Sequence, residues 1–249
     1  MMSSIDSVAY KYRSLCLSGI AEQLEQLLSQ AEANDVSYLQ FAEILIVHEH
    51  NQRNSKRIEQ NRKRAAFLLH KTLEEFDYRF QTTISKREVN SLLNFDFIDT
   101  RENVVFIGPP GVGKTHLAIG IGLKVIDAGY KVYFNTALGL MEALELAELK
   151  GELKKKINQL IKFDVLIIDE WGYLPMNQHG MHNLFQLVNA LYEYRSIILT
   201  TNKEFTNCNE FFIDDNIAVP IVDRLIHHSH IFMLGGENYR LKTKLNRCG

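Results

Sequence analysis

The string Gly108-Pro109-Pro110-Gly111-Val112-Gly113-Lys114-Thr115 carries the plainest chemistry in this chain. Glycines at these intervals let backbone N–H groups turn inward around a phosphate chain. Lys114 adds a point charge for the outer phosphates, and Thr115 offers a hydroxyl to Mg²⁺. His116 opens the helical pattern that follows and belongs to the same cradle. An apolar run, Asn103 to Ile107, precedes the loop. Strand, glycine loop and helix in this order are the context the pattern requires. The chemistry implied is the binding of a nucleoside triphosphate.

Binding becomes hydrolysis with a second string, Phe163-Asp-Val-Leu-Ile-Ile-Asp169-Glu170. A continuous apolar run suits a strand buried on both faces of a parallel sheet. Ligands of such sheets sit at the carboxyl ends of the strands. Asp169 is therefore expected near the phosphates, where it can hold Mg²⁺ through water. Glu170 points away from that metal and can polarise an attacking water as general base.

A third apolar run, from Arg195 to Thr201, ends at Asn202. By itself Asn202 also suits an ordinary turn. At the end of a third strand it is placed to orient the lytic water or to feel the terminal phosphate. Further on, Val219-Pro220-Ile-Val-Asp223-Arg224 reads as a helix with Pro220 in its first turn. Alone, Arg224 reads as a surface arginine paired with Asp223. With the other motifs in order, it can stabilise charge that develops on a phosphate, often that of a neighbouring subunit.

These groups need a scaffold. From residue 100 the pattern alternates strand and helix, with strands expected at 103–107, 131–134, 163–168, 196–200 and 230–234. Helices fall between them, including 137–149 and 181–194. Alternation of this kind means α/β architecture, a parallel sheet flanked by helices. Residues 1–70 differ, with no proline and one glycine, Gly19. Leu15, Leu17, Ile20, Leu24, Leu27 and Leu28 give a helical apolar face. A break at Asn34-Asp35-Val36 precedes Ser37, which suits an N-cap for a second, long helix. The expected organisation is thus a small all-α domain at 1–70 and a nucleotide-binding domain at 71–249. Phe76 and Tyr78, in the joining segment, suit either stacking on a base or packing at the seam.

The second half of the long helix is basic. Arg53, Lys56, Arg57, Arg62, Lys63, Arg64 and Lys71 face only Glu49 and Glu59. Such a concentration is an electrostatic footprint for a phosphate backbone, although charge runs also form ordinary solvated faces. No aromatic interrupts it before Phe67, so duplex backbone contact is favoured over base stacking. Local charge matters here because the 249-residue chain carries a formal charge of only −2.

Composition excludes several classes. The three cysteines, Cys16, Cys208 and Cys248, have no paired spacing, which opposes a disulfide framework or zinc site. The histidines lack convincing metal spacing. No apolar stretch approaches membrane-spanning length, and the N-terminus has no signal core. These features point to a cytoplasmic protein without membrane association.

Taken together, GPPGVGKTHLA, VLIIDEWGYLP, ILTTN and VDRLIHHSHIF resemble the AAA+ ATPases of the helicase-loader clade. The nearest resemblance is to IstB-type transposition helpers of insertion sequences, and it extends through the N-terminal segment and the downstream GENYRLK. The resemblance implies ATP held by residues 108–116 and Mg²⁺ served by Thr115 and Asp169. It implies water activation by Glu170, a first sensor at Asn202 and an arginine finger at Arg224. Arg240 sits at the place of a second sensor, on a tail too short for that group's helical lid. The implied partners are duplex DNA, the transposase of the same element, and further copies of the chain with ATP at their interfaces. A replicative-helicase loader shares the same core and is the alternative. A P-loop kinase would need a lid and a substrate pocket that the sequence does not display. A binding module without turnover is opposed by Asp169, Glu170 and Asn202 together.

Overall fold

The computed structural model describes residues 4–67, 69, 71–172, 178–203 and 215–239. The chain divides into two compact units, residues 1–60 and 61–249.

The first unit is helical. It comprises α1 (Ser4–Ser14), α2 (Ser18–Ala33) and most of α3 (Tyr38–Ala65), whose last residues from Asn61 fall in the second unit. Its core gathers Ala9, Ile20, Ala21, Leu24, Leu27 and Leu45. Leu15, expected on the apolar face, is 69% exposed. The reason is local: Cys16 takes a left-handed conformation (φ 58°), which breaks the helix and throws Leu15 off the stripe. Ser37 caps α3 as its residue type predicts. Its hydroxyl accepts from Gln40 N–H at 3.3 Å, and Gln40 Oε1 accepts from Ser37 N–H at 2.8 Å, a complete capping box.

The amino end of α2 has no cap of its own, because Leu17 offers no side-chain acceptor. Glu49 of α3 supplies it. Its Oε2 accepts from Ile20 N–H at 3.0 Å, and Gly19 N–H joins. A carboxylate at this end of a helix also meets the positive end of the dipole. Gly19 permits the approach, since a Cβ there would stand 2.9 Å from Gln52 Cβ. Arg53 completes the staple, donating to Glu49 Oε1 at 2.8 Å and to the Cys16 carbonyl at 2.6 Å.

The second unit is built on five parallel strands: β1 (Asn103–Ile107), β2 (Val132–Thr136), β3 (Val165–Trp171), β4 (Ser196–Thr201) and β5 (Ser229–Met233). Their order across the sheet is β2-β3-β4-β1-β5. Two short helices, α4 (Lys86–Ser91) and α5 (Asp96–Asp99), lead into β1. The connecting helices are α6 (Lys114–Asp127), α7 (Ala137–Leu149), α8 (Leu153–Leu160), α9 (Gln178–Leu191) and α10 (Asp215–Ile226). Every residue of β1 and β4 is buried, as is β3 except Glu170. That is why these strands read as unbroken apolar runs rather than alternating ones. Trp171 lies in the core beneath α7 and α9.

Two boundaries differ from expectation for clear reasons. α9 ends at Leu191, because Glu193 turns left-handed (φ 62°) and the Tyr194 and Arg195 amides fold back on the Leu191 carbonyl. α10 starts at Asp215, so Pro220 sits inside the helix rather than in its first turn. β1 lies between β4 and β5, with β2 at the far edge of the sheet. The chain therefore crosses over at the carboxyl end of β1, where such sheets open a crevice.

The Glu49 staple has a pH signature. Burial pushes this carboxyl up, but hydrogen bonds from Arg53 and Ile20 N–H outweigh it and hold it below the ordinary glutamate value. Its stabilisation is therefore complete above the ordinary value of 4.5 and is lost as pH falls below that, through the folded value. Glu49→Gln should weaken the start of α2 by about 2 kcal/mol, the scale of hydrogen bonds to a charged group. Amide exchange at Gly19 and Ile20 should quicken at neutral pH, and unchanged exchange there would refute the cap.

Candidate functional site

The loop between β1 and α6 follows the conformation its glycines permit. Gly111 (φ 84°) and Gly113 (φ 99°) are left-handed, which side-chain-bearing residues adopt only at a cost. Space forbids a side chain as well. A Cβ on Gly113 would stand 2.7 Å from the Phe76 ring, and one on Gly111 would stand 2.2 Å from Asn238 Oδ1. The loop is thus covered by backbone-proximal neighbours on two sides. Lys114 is buried, and its ammonium donates to the Gly108 and Pro109 carbonyls at 2.6 and 2.8 Å. Pro110 follows them at the turn. The Val112 carbonyl accepts from buried Gln81, which also reaches the Gly235 carbonyl, both at 3.0 Å. His116 Nε2 donates to the Thr72 carbonyl at 2.6 Å, and its ring meets Phe76 edge-on. Phe76 and Tyr78 also pack edge to face, 4.8 Å apart.

Beside the loop opens a cavity of about 450 Å³, bordered by Phe76, Phe80, Gln81, Gly113, Thr115 and Tyr239. Its size falls in the range of small-molecule sites. It sits at the first turn of α6, where backbone amides and the helix dipole favour an anion. The arrangement can receive a phosphate chain on the loop and a planar base against aromatic rings.

The two acids arrive from β3 through an irregularity in the sheet. Ile168 pairs with Leu199 and Trp171 with Thr201, so Asp169 and Glu170 together face the single residue Thr200. This is a β-bulge, a device that re-aims side chains. Glu170 is left-handed (φ 62°), at a cost of about 1–2 kcal/mol for a residue with a Cβ. Its side chain is exposed, whereas Asp169 is 4% exposed. Thr115 Oγ1 donates to Asp169 Oδ1 at 2.9 Å, so the loop and the acid strand meet directly. A hydroxyl and a carboxylate converging this closely can hold a hard cation, with the remaining ligands coming from phosphate and water. Among the described residues no group of three or more His, Cys, Asp or Glu is arranged for a metal.

Asn202 follows β4, and its Oδ1 is buried without a hydrogen-bond partner. An orphaned acceptor in a buried position costs stability and commonly marks a functional group. Arg224 lies elsewhere. Its main-chain carbonyl and that of Leu225 accept from Asn103 Nδ2, and Asn103 Oδ1 accepts from Ile197 N–H at 2.9 Å. Asn103 opens β1 and Ile197 is near the start of β4. Arg224 is therefore at the amino end of the sheet, opposite the loop. Its guanidinium sits 5.4 and 5.7 Å from the Phe185 and Tyr192 rings, and its Nε is buried without a partner. Arg240, Cys208 and Cys248 lie outside the described residues.

The basic residues of α3 sort by helical angle. Arg53, Lys56, Arg57, Lys63 and Arg64 fall within an arc of about 120°, whereas Arg62 is on the other side. Arg62 pairs with Asp127 at 2.5 Å, and Lys56 with Glu22 at 3.7 Å. Arg53 belongs to the Glu49 staple, so its role is structural as well. Arg57 and Arg64 are exposed and make no ion pair among the described residues.

Sequence reasoning missed several participants. Thr200, Gln81, Asn103 and Asn238 are single polar residues with no motif around them. A buried polar residue at the end of an apolar strand was the one available signal, and it applies to Thr200 and Asn103. A second basic surface also escaped notice, the exposed Lys154 and Lys155 of α8 with nearby Lys162.

The chain is similar to known proteins over most of its length. The family of IstB-like ATP binding proteins matches residues 11–247. The ATP-binding protein of insertion sequence IS5376 from Geobacillus stearothermophilus is 41% identical over 230 residues, covering 92% of each chain. That of insertion sequence IS21 from Pseudomonas aeruginosa is 42% identical over 230 residues, 92% of this chain and 87% of its own. Among solved structures, AMPPCP-bound DnaA from Aquifex aeolicus aligns with a TM-score of 0.56 at 21% identity. That alignment covers 71% of this chain and 54% of DnaA, a likeness of fold. The fold is that of an AAA+ P-loop ATPase core, and the chain belongs to the family of IstB-like ATP binding proteins.

Proposed function

We propose that this chain is an ATPase that assembles on duplex DNA with ATP between its subunits and serves the transposase of its own element. One observation carries the reading. The acids and the glycine loop meet at the carboxyl ends of the strands, while Arg224 stands at their amino ends. The five-residue β1 between them spans roughly 16 Å, too far for one arginine side chain to cross. Arg224 thus cannot act on the phosphates bound by its own chain. Its side chain is partly exposed, which leaves a neighbour's phosphates as its target in this reading. ATP binding is then coupled to assembly, and hydrolysis to release.

In this reading residues 108–116 hold the triphosphate and the aromatic-lined cavity takes the base. Thr115 and Asp169 would hold Mg²⁺, which when bound neutralises charge on the phosphate oxygens. Glu170 accepts the proton of a water that attacks the terminal phosphorus, as the bond to the leaving ADP oxygen breaks. Asn202, with its orphaned carbonyl oxygen, orients that water. Arg57 and Arg64, with Lys63, contact duplex phosphates, and the α8 lysines offer a second contact. The insertion-sequence relatives support the link to transposition, and the AMPPCP bound to DnaA supports an adenine nucleotide. Cytoplasmic residence follows from the same role; no helix among the described residues is long and apolar enough to cross a membrane.

Complementation between subunits tests the arrangement. Glu170→Gln should bind ATP normally yet hydrolyse about 10²–10⁴-fold more slowly, the contribution of a general base. Arg224→Ala should also bind ATP and lose about 10³-fold or more in turnover. Mixing the two inactive proteins should restore measurable hydrolysis, because Glu170→Gln subunits lend an intact Arg224 to active Arg224→Ala sites. No recovery on mixing, or wild-type turnover by Arg224→Ala alone, would overturn the shared site.

For the DNA surface, Arg57→Gln and Arg64→Gln should weaken duplex binding alike on unrelated sequences. Each should reduce the slope of log affinity against log salt by about 0.9, one phosphate's worth of released counterion. A slope that does not move would remove this face from the interface.

A further inference from the structure

One buried hydroxyl lies between the two acids and is assigned no part in the reaction sketched above. Thr200 is 1% exposed, at the point of β4 that faces the bulge. Its hydroxyl hydrogen goes to Asp169 Oδ1 at 2.5 Å, and its oxygen accepts from Glu170 N–H at 3.0 Å. A hydroxyl has one donor and two acceptor lone pairs. Here the single donor and one acceptor are committed in fixed directions to consecutive residues of β3.

Without that bond the Glu170 amide would face β4 with no ladder partner, since the pairing skips from Ile168 to Trp171. Backbone amides within a sheet are rarely left unpaired. The bond thus compensates the extra residue that makes the bulge and the left-handed turn at Glu170. The same hydroxyl, with Thr115, occupies Asp169 Oδ1 and fixes the rotation of that carboxylate. A valine would fill the same space and favour the strand equally, but it could do neither.

We infer that Thr200 is a positioning residue for hydrolysis: its hydroxyl sets the bulge that aims Glu170 and orients Asp169 toward the Thr115 hydroxyl. It touches no reacting atom and acts through the acids. This inference rests on the ATPase reading. It predicts that Thr200 separates turnover from binding, because the loop and Lys114 do not depend on it.

The test compares wild-type protein, Thr200→Val and Thr200→Ser, all full length and with duplex DNA present. Binding of a fluorescent ATP analogue and steady-state hydrolysis are measured side by side. Thr200→Val should bind the analogue within about threefold of wild type and keep a similar KM, with kcat at least about 30-fold lower, a large part of the roughly 10²–10⁴-fold that a general base supplies. Thr200→Ser keeps the hydroxyl and should return kcat to within about threefold. A merely structural role would lower binding and turnover together, or would leave Thr200→Ser as impaired as Thr200→Val; either result overturns the assignment. Should Thr200→Val prove insoluble, Thr200→Ala carries the same prediction with the same readouts. Wild-type protein that binds but never hydrolyses ATP would sink the ATPase reading itself. Wild-type turnover matched by Thr200→Val would sink only Thr200.

Discussion

A buried carboxylate is expensive unless its lone pairs are occupied, and Asp169 is arranged around that constraint. It is almost wholly buried, at the end of a strand surrounded by apolar side chains. Two hydroxyls answer it, Thr115 from the loop and Thr200 from β4. These bonds join three strands at their carboxyl ends, because Thr115 follows β1, Asp169 belongs to β3 and Thr200 to β4. Loop, acids and bulge are therefore not independent features that happen to be adjacent. They are consequences of satisfying one charge in a dry place.

The opposite end of the sheet shows the complementary solution. Asn103 is buried, and its one amide group bonds to the end of α10 and to β4. It fixes the helix that carries Arg224, whose Nη1 donates to the Pro220 carbonyl at 3.0 Å while the Phe185 and Tyr192 rings lie beside the guanidinium. A cation held partly by aromatic faces commits fewer of its five donors than one held by hydrogen bonds alone. The strands thus separate Arg224 from the glycine loop by their own length, and the proposed sharing of sites between subunits rests on that separation.

Much of this was legible in the residues. Phosphate loops must be glycine-rich for steric reasons, and buried parallel strands must be apolar, so β1, β3 and β4 and the positions of Lys114, Asp169 and Asn202 follow from residue type and order. α7 was legible to the residue, because Thr136 caps it by accepting from Gly139 N–H. What escaped depended on contacts distant in sequence. Glu49 caps a helix 29 positions away, and nothing local distinguishes it from a solvated glutamate. Arg53 looked like one more member of a basic stripe, yet its geometry ties it to that carboxylate. Leu15 fell off its face through a backbone turn at a cysteine, a residue with no turn preference to announce it. Thr200 was hidden because a bulge is a property of two strands, and either strand alone looks regular.

The order of the strands also bears on synthesis. β1 emerges from the ribosome first, but its sheet neighbours are β4 and β5. Asn103 waits 94 positions for its partner Ile197. At about 5–20 residues per second that is roughly 5–20 s during which the glycine loop exists without the strands that organise it. A nascent chain in that interval has the residues of a nucleotide site but not its shape. The topology therefore delays completion of the nucleotide site until the acids and the helix that bears Arg224 are made.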